Sequence, residues 1–437
     1  MFLLGTQRVN KAGHLEIGGC DAVDLAQQYS TPLYVMDEAH IRQTMRALKK
    51  AFQDLHPATE IIYASKAFTC LAIARIAAQE GLWIDVASAG ELYTALRADF
   101  PPERIVFHGN NKSREELDMA VVAGIGRVIV DNEGELELLD EVAAARNTKQ
   151  PIMLRLTPAV DPHTHRYIQT GRVDTKFGMN IEGGGARRGL EKALHMKHLE
   201  LTGLSAHIGS QILDADFFKL SAGLMCDFLA EIRRDLGVTV QDLDLGGGLG
   251  IRYLPEHQPP TFEEYAAVMV GTVQEQCGRA GLDVPRLAVE PGRAIVGEAG
   301  TTLYRAGGIK RIPNVRSYVA VDGGISDNPR PALYEARYSA LNASHADVPE
   351  RETVTIAGKH CETDTLIEDV EIAPVSTGDV IAVQSTGAYN HSMSSNYNRF
   401  RRPAVVLAND GTSEVIVERE TLQDLLAHDV VPERLLT

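Results

Sequence analysis

Tyr63-Ala64-Ser65-Lys66-Ala67-Phe68-Thr69 is the stretch on which the reading of this chain turns. The apolar run Ile61-Ile62-Tyr63-Ala64 reads as a short buried strand, and Leu71-Ala72-Ile73-Ala74 opens a helix. Lys66 therefore falls at the carboxyl end of a strand, where the chain turns into a helix. Parallel α/β folds place their chemistry at such ends. An amine held there among apolar neighbours is expected to be poorly solvated, which lowers its pKa and frees it to attack a carbonyl. A solvated surface lysine leaves the same local signature, so the flanking chain has to decide.

From Ile61 onward, short β-branched runs alternate with helical stretches. The expected strands are 61–65, 84–87, 104–108, 127–131, 152–157, 201–207, 241–245 and 286–290, with amphipathic helices such as 114–123 and 133–145 between them. Eight βα units over roughly 240 residues is the size of a (β/α)8 TIM-type barrel. An open doubly wound sheet has the same periodicity, and the count of eight favours the barrel. The fifth connection, from Pro158 to about Gly185, is long and carries Asp174-Thr175-Lys176-Phe177-Gly178-Met179. Long connections at a barrel mouth are usually functional.

Upstream, a helix is expected around Asp21–Tyr29 and a strand over Pro32–Asp37. A second helix, about 38–52, follows with Asp37 suited to cap it. Beyond Pro291 the rhythm changes. Strand-like runs at 301–307, 317–321, 352–357, 379–382, 404–407 and 414–417, with few helices between them, read as a C-terminal, mostly antiparallel β-domain. The expected division is 1–37 as an N-terminal segment contributing to the β-domain, 38–300 as the barrel and 301–437 as the β-domain.

A chain of 437 residues with 44% hydrophobic and 23% charged residues is that of a globular protein too long for one ordinary core. Its formal charge of −16 argues against nucleic acid or an anionic membrane as partner. No apolar run reaches the length of a membrane span. Met1–Gly5 has no charged region before its brief apolar run, so no secretory leader is expected. Cys20, Cys70, Cys226, Cys277 and Cys361 are scattered and lack CxxC spacing, which suggests neither a disulfide framework nor a metal site. A reducing, cytoplasmic location is expected.

Polar motifs recur at one end of the expected barrel strands. Lys66 follows the first, Asp85 and Ser88 the second, and His108-Gly109-Asn110 the third. Arg155 is near the end of the fifth, and His207-Ile208-Gly209-Ser210-Gln211 ends the sixth. Gly246-Gly247-Gly248-Leu249-Gly250 ends the seventh, and Glu290-Pro291-Gly292-Arg293 the eighth. One rim carrying all of these is hard to obtain by chance. The glycine run suits backbone amides approaching a single phosphate; it is neither a dinucleotide fingerprint nor a P-loop. Glu290 could pair with a protonated pyridine nitrogen, or with a neighbouring arginine. His207 could stack on a flat cofactor, or be a hydrogen-bonded structural histidine. With Lys66 as a Schiff-base lysine, these features describe a pyridoxal site.

Four features of the β-domain add to this. Arg330 and Tyr334 lie on the stiff turn Asp327-Asn328-Pro329-Arg330-Pro331-Ala332-Leu333-Tyr334, where arginine suits a substrate carboxylate. Cys361-Glu362 follows the basic pair Lys359-His360; a thiol near cations can shuttle protons, though a buried cysteine reads the same. Gly387-Ala388-Tyr389 follows a strand-like run. Ser392-Met393-Ser394-Ser395-Asn396-Tyr397-Asn398 is a dense polar loop.

YASKAF, HGNNKS, HIGSQI, LDLGGGLGI, EPGRAIVGEAG, VDGGISDNPRPALY, AGKHCE and GAYNHSMSSNYNRFRRP occur in this order. Together they resemble the diaminopimelate decarboxylase family of fold-type III pyridoxal-phosphate enzymes, over nearly the whole chain. The resemblance implies that Lys66 holds pyridoxal 5'-phosphate covalently and that His207 stacks on its ring. Glu290 would meet the ring nitrogen. Gly248 and the backbone of Gly292 and Arg293 would bind the phosphate, with Tyr389 nearby. It further implies that Arg293, Arg330, Tyr334 and Tyr389 grip the substrate, that Glu362 meets its distal ammonium, and that Cys361 returns a proton. Cys361 and Glu362 would come from the other subunit of a homodimer. The implied reaction is decarboxylation of meso-2,6-diaminopimelate to L-lysine and carbon dioxide. Alternatives are a decarboxylase of ornithine, arginine or carboxynorspermidine, or a non-catalytic regulatory relative. The sequence departs from the family pattern clearly at one place, and YASKAF in place of the common YAxKAN is a lesser deviation. Cys-Glu-Ser-Gly-Asp is replaced by Cys361-Glu362-Thr363-Asp364-Thr365, with the aspartate one position earlier.

Overall fold

Eight parallel strands close on themselves in the computed structural model, which describes residues 2–160 and 174–436. In chain order they are β1 (Glu60–Ala64), β2 (Trp83–Val86), β3 (Ile105–Phe107), β4 (Arg127–Val130), β5 (Gln150–Thr157), β6 (Leu199–Ala206), β7 (Asp242–Asp244) and β8 (Arg286–Val289). Neighbours pair in sequence, and β8 meets β1 through Ala288 and Glu60 to complete the cylinder. Strands covered on both faces read as continuous apolar runs, and that is how these were visible in the sequence. Of the long fifth connection, residues 161–173 lie outside the described residues; beyond them Met179–Asn180 pairs with Leu156–Thr157 at the end of β5.

The helices between strands start where side chains can cap them. Ser113 and Glu116 form a reciprocal capping box for Arg114–Ala123, as Thr261 and Glu264 do for Phe262–Ala280. Ser88 and Asn132 cap the helices Ala89–Arg97 and Glu133–Ala145.

The two ends of the barrel differ in chemistry. At the amino ends of the strands, Arg127 bridges both oxygens of Glu60 at 2.6 and 2.9 Å and lies over the Trp83 ring. Arg286 bonds Asp242 at 2.6 Å. Above this floor Ile62, Val106, Ile129, Met153 and Ala288, from five strands, pack into one cluster. The carboxyl ends carry the motifs named above.

Lys112 sits in the loop after β3 as a buried ion pair. Its Nζ donates to Glu135 Oε1 at 2.6 Å and to the carbonyls of Gly109 and Ile129, both at 2.8 Å. Burial pushes the lysine pKa down and the glutamate pKa up, so each charge persists only through the other. Lys112→Met is expected to destabilise the protein by about 3–5 kcal/mol, because Glu135 is left buried without its cation. The denaturation midpoint reads this, and a loss below about 1 kcal/mol would contradict it.

The barrel strands fall in a unit of Arg42–Arg252 and Glu256–Ile295. A second unit comprises Met1–Ile41, Tyr253–Pro255 and Val296–Thr437. Its nine-stranded sheet runs in the order Thr365–Ile372, Glu352–Ala357, Arg316–Val321, Gly300–Ile312, Leu33–Asp37, Ala404–Asn409, Thr412–Val417, with Val380–Val383 joining Gly300–Ile312 to Ala340–Asn342. Leu33–Asp37 lies antiparallel to Gly300–Leu303 and parallel to Ala404–Ala408, so the first and last parts of the chain share this sheet. Most pairings are antiparallel. Leu33, Val35, Leu303, Val380 and Val406 pack with Leu25 of the helix Ala22–Tyr29 as its core. Asp21 caps that helix, and Asp37 accepts from the His40 amide to cap Glu38–Gln53.

Within this nine-stranded sheet the structure adds two strands that the sequence reading lacks, Ala340–Asn342 and Thr365–Ile372. The second is an edge strand. Glu368, Asp369 and Glu371 interrupt its apolar alternation, as charges on sheet edges do. The expected stiff turn at Arg330 is instead the short helix Arg330–Tyr334.

Candidate active site

β1 ends at Ala64 and the chain makes one tight 3-10 turn, Ser65–Ala67, that carries Lys66. The Ser65 amide donates to Asp85 Oδ1, at the end of β2, at 2.9 Å. Lys66 Nζ is 3.9 Å from Asp85 Oδ2. The expected apolar, desolvated surroundings are therefore corrected. The Lys66 side chain is 42% exposed and faces a buried carboxylate. The apolar residues near it in sequence, Tyr63, Ala67 and Phe68, turn into the core instead.

Opposite, the His108 ring after β3 hydrogen-bonds through Nε2 to Glu290 Oε1 after β8, and both are buried. Arg155 Nη1 lies 3.4 Å from His108 Nδ1. Burial pushes the His108 pKa down to about 3. It pushes Glu290 up to about 7, with Asp85 adding to the rise and Lys66 opposing it. Burial also holds Asp244, at the end of β7, well above the usual carboxylate range, and the Glu290 charge reinforces this. The site is thus a buried acidic cluster short of positive charge.

An acid whose folded pKa is raised weakens the fold as pH climbs past its unfolded value, because only the unfolded chain ionises it freely. In cofactor-free protein, Glu290→Gln should therefore gain stability relative to wild type between about pH 5 and about pH 8, by up to about 3 kcal/mol. Thermal midpoints of the two proteins across that range test it; a pH-independent difference would contradict it.

Asp85, His108 and Glu290 each place one ligand-type atom within 4.8 Å of the others. Two of the three are already joined by a hydrogen bond, so the set suits a proton-bearing partner better than a metal ion.

The glycine loop lies beside this cluster. The Gly247 amide donates to His207 Nδ1 at 3.1 Å. Nδ1 is thereby an acceptor, and burial together with the Lys66 charge keeps the His207 pKa well below its usual value. His207 is a neutral, half-buried flat ring on the loop. A side chain at position 247 would meet the Glu290 carbonyl at 2.0 Å. Gly248 has φ +114°, and a Cβ there would meet the Gly209 carbonyl at 2.5 Å. Only glycine allows three loop backbones, after β6, β7 and β8, to pack this closely. Arg293, buried at the start of the short helix Arg293–Val296, donates through Nη2 to Ser210 Oγ at 2.8 Å.

The structure thus brings Lys66, His207, Gly248, Glu290, Gly292 and Arg293 to one rim of the barrel. These residues fit pyridoxal 5'-phosphate. They offer an amine, a flat ring, a backbone cradle that side chains would fill, and a buried acid, Glu290, whose pKa burial raises.

Arg330, Tyr334, Cys361, Glu362 and Tyr389 belong to the β unit. Arg330 is buried; its Nη1 donates to the Tyr338 hydroxyl at 2.5 Å, and its guanidinium lies over the Tyr253 ring at 4.6 Å. Its Nε finds no acceptor among the described residues. Tyr334 ends the short helix and is half-buried. Tyr389 has φ +58°, a left-handed conformation that a bulky residue adopts only when its surroundings impose it. Cys361 and Glu362 are exposed, and Asp364 is buried.

The sequence reading missed Asp244, Ser210 as the partner of Arg293, and Tyr338. An aspartate inside the apolar run Leu243-Asp244-Leu245 was the available signal for the first.

Comparison with known proteins places these features in a family. The profile described as pyridoxal-dependent decarboxylase, pyridoxal binding domain, matches residues 38–297. The chain is 48% identical to the diaminopimelate decarboxylase of Bacillus subtilis over 431 residues, covering 98% of each. It is 42% identical to that of Mycobacterium tuberculosis, covering 96% of each. Among solved structures, the M. jannaschii diaminopimelate decarboxylase in complex with L-lysine superposes with a TM-score of 0.93 at 38% identity, covering 99% of this chain and all of that one. The chain belongs to the diaminopimelate decarboxylase family of pyridoxal-phosphate enzymes.

Proposed function

We infer that this chain decarboxylates meso-2,6-diaminopimelate to L-lysine and carbon dioxide, the last step of lysine biosynthesis. The observation that carries the reading is the single rim holding Lys66, His207, the glycine loop and Glu290, in a chain with full-length relatives of that activity.

Lys66 would hold the cofactor aldehyde, with Asp85 beside it to take or return a proton. Gly248 and the backbone of Gly292 and Arg293 would receive the phosphate, near Tyr389. His207, kept neutral, would lie against the ring. Glu290 would hold a proton on the ring nitrogen, which supplies the charge that the buried acids lack. When bound, pyridoxal phosphate supplies an electron sink for the bond to the departing carboxylate. Arg293, Arg330, Tyr334 and Tyr389 would grip the substrate. The orphan Nε of buried Arg330 suits a carboxylate. Cys361 would deliver the proton that replaces carbon dioxide at the α-carbon, and Glu362 would meet the distal ammonium. We place Cys361 and Glu362 opposite the barrel of a second subunit, in a cytoplasmic homodimer with shared sites.

Purified protein supplied with the cofactor should convert meso-diaminopimelate to lysine far faster than it acts on ornithine, arginine or carboxynorspermidine. Ornithine as the best substrate would reject the assignment.

A further inference from the structure

We propose that the loop around Tyr397 and Asn398, together with the His360–Asp364 pair, positions the Cys361–Glu362 segment, and that Tyr397 aims the Glu362 carboxylate at the substrate. The proposal rests on the role given above to Glu362 and extends it to residues with no assigned task.

Cys361, Glu362 and Thr363 are three exposed residues in a row, a pattern that by itself leaves a loop loosely held. Here each end is tied. Asp364 Oδ1 accepts from the Ile325 amide at 2.9 Å. Its Oδ2 accepts from the His360 amide at 3.3 Å and faces His360 Nδ1 at 2.5 Å. A Cβ at Gly324 or at Gly358 would lie 2.0 Å from that same oxygen, so both glycines make room for the carboxylate. The early aspartate, which departs from the family pattern, is therefore the buried anchor of the loop.

The anchor continues outward to the functional residues. The His360 ring stacks on Tyr397 with centroids 5.9 Å apart and planes 7° from parallel, and meets Phe400 edge-on at 4.7 Å. The Tyr397 hydroxyl donates to Glu362 Oε1. Asn398 Oδ1 accepts from the Cys361 amide at 3.3 Å. Asn398 and Arg399 hold φ of +52° and +57°, a consecutive left-handed pair that is disfavoured for residues with side chains. That strain is retained where the two contacts to the Cys361–Glu362 segment are made. The hydrogen bond to Glu362, reinforced by the Glu362 charge, raises the Tyr397 pKa, so the phenol stays protonated and remains the donor. Thus Glu362 is held through its side chain by Tyr397, and Cys361 through its backbone by Asn398.

Two separate tethers predict separable kinetics. Tyr397→Phe removes one hydroxyl from a residue that is 41% exposed, and it keeps the ring stacked on His360. In the holoenzyme, KM for meso-diaminopimelate should rise on the order of tenfold, the worth of one hydrogen bond to a charged group. The kcat should stay within about twofold and the bound-cofactor absorbance should be unchanged. Glu362→Gln should raise KM at least as much. The double variant Y397F/E362Q should be no worse than E362Q, since Tyr397 acts through Glu362. A raised KM in E362Q with an unchanged KM in Y397F overturns the proposal alone. So do multiplying effects in the double variant, or an equal fall in kcat and cofactor binding in Y397F. An unchanged KM in E362Q overturns the assignment of Glu362, and the proposal with it.

Discussion

Replacing Lys66 by alanine will leave a folded protein that has lost turnover by roughly 10⁴-fold or more, together with the visible absorbance of lysine-bound pyridoxal phosphate. The size of the effect follows from the place of the residue. Lys66 is the one lysine on the turn that ends β1, and its amine is 3.9 Å from Asp85. Lys112, the nearby lysine after β3, is locked in its own ion pair and cannot substitute. Because the Lys66 side chain is 42% exposed, its loss removes little core packing; what stability it costs comes from taking a cation away from the buried Asp85 carboxylate. A variant that keeps the band and full turnover would refute the assignment.

Replacing Cys361 by alanine should lower kcat by about 10²–10³-fold, within the range for loss of a positioned proton donor, with the absorbance of the bound cofactor intact. Cys361 is exposed on the β unit and its amide is held by Asn398, so the substitution leaves the loop in place. If sites are shared between subunits, mixing Lys66→Ala with Cys361→Ala and letting subunits exchange should restore activity. Half the dimers become mixed, and each has one site with both residues intact, so the return is about a quarter of wild type. No recovery after verified exchange would place both residues of a site in one subunit.

The barrel was legible because its strands are buried on both faces and each ends in a chemically distinctive motif. Lys66, the glycine loop and Glu290 stood out for that reason. What local pattern could not give was environment. The sequence surrounds Lys66 with apolar residues, yet the turn Ser65–Ala67 aims those inward and the amine toward Asp85. Asp244 looked like one polar residue in a strand; only the pairing of β7 with β8 sets it beside Glu290. The edge strand Thr365–Ile372 escaped notice because its charges dilute the alternation. The link from Asp364 through His360 and Tyr397 to Glu362 joins residues up to 37 positions apart, beyond the reach of any local reading.

The most direct test of the account is chemical. The holoenzyme is reduced with borohydride, digested, and the pyridoxyl-bearing peptide sequenced by mass spectrometry. The label should sit on Lys66, in the peptide that follows β1. A label on Lys112 or any other lysine, with Lys66 unmodified, would contradict it.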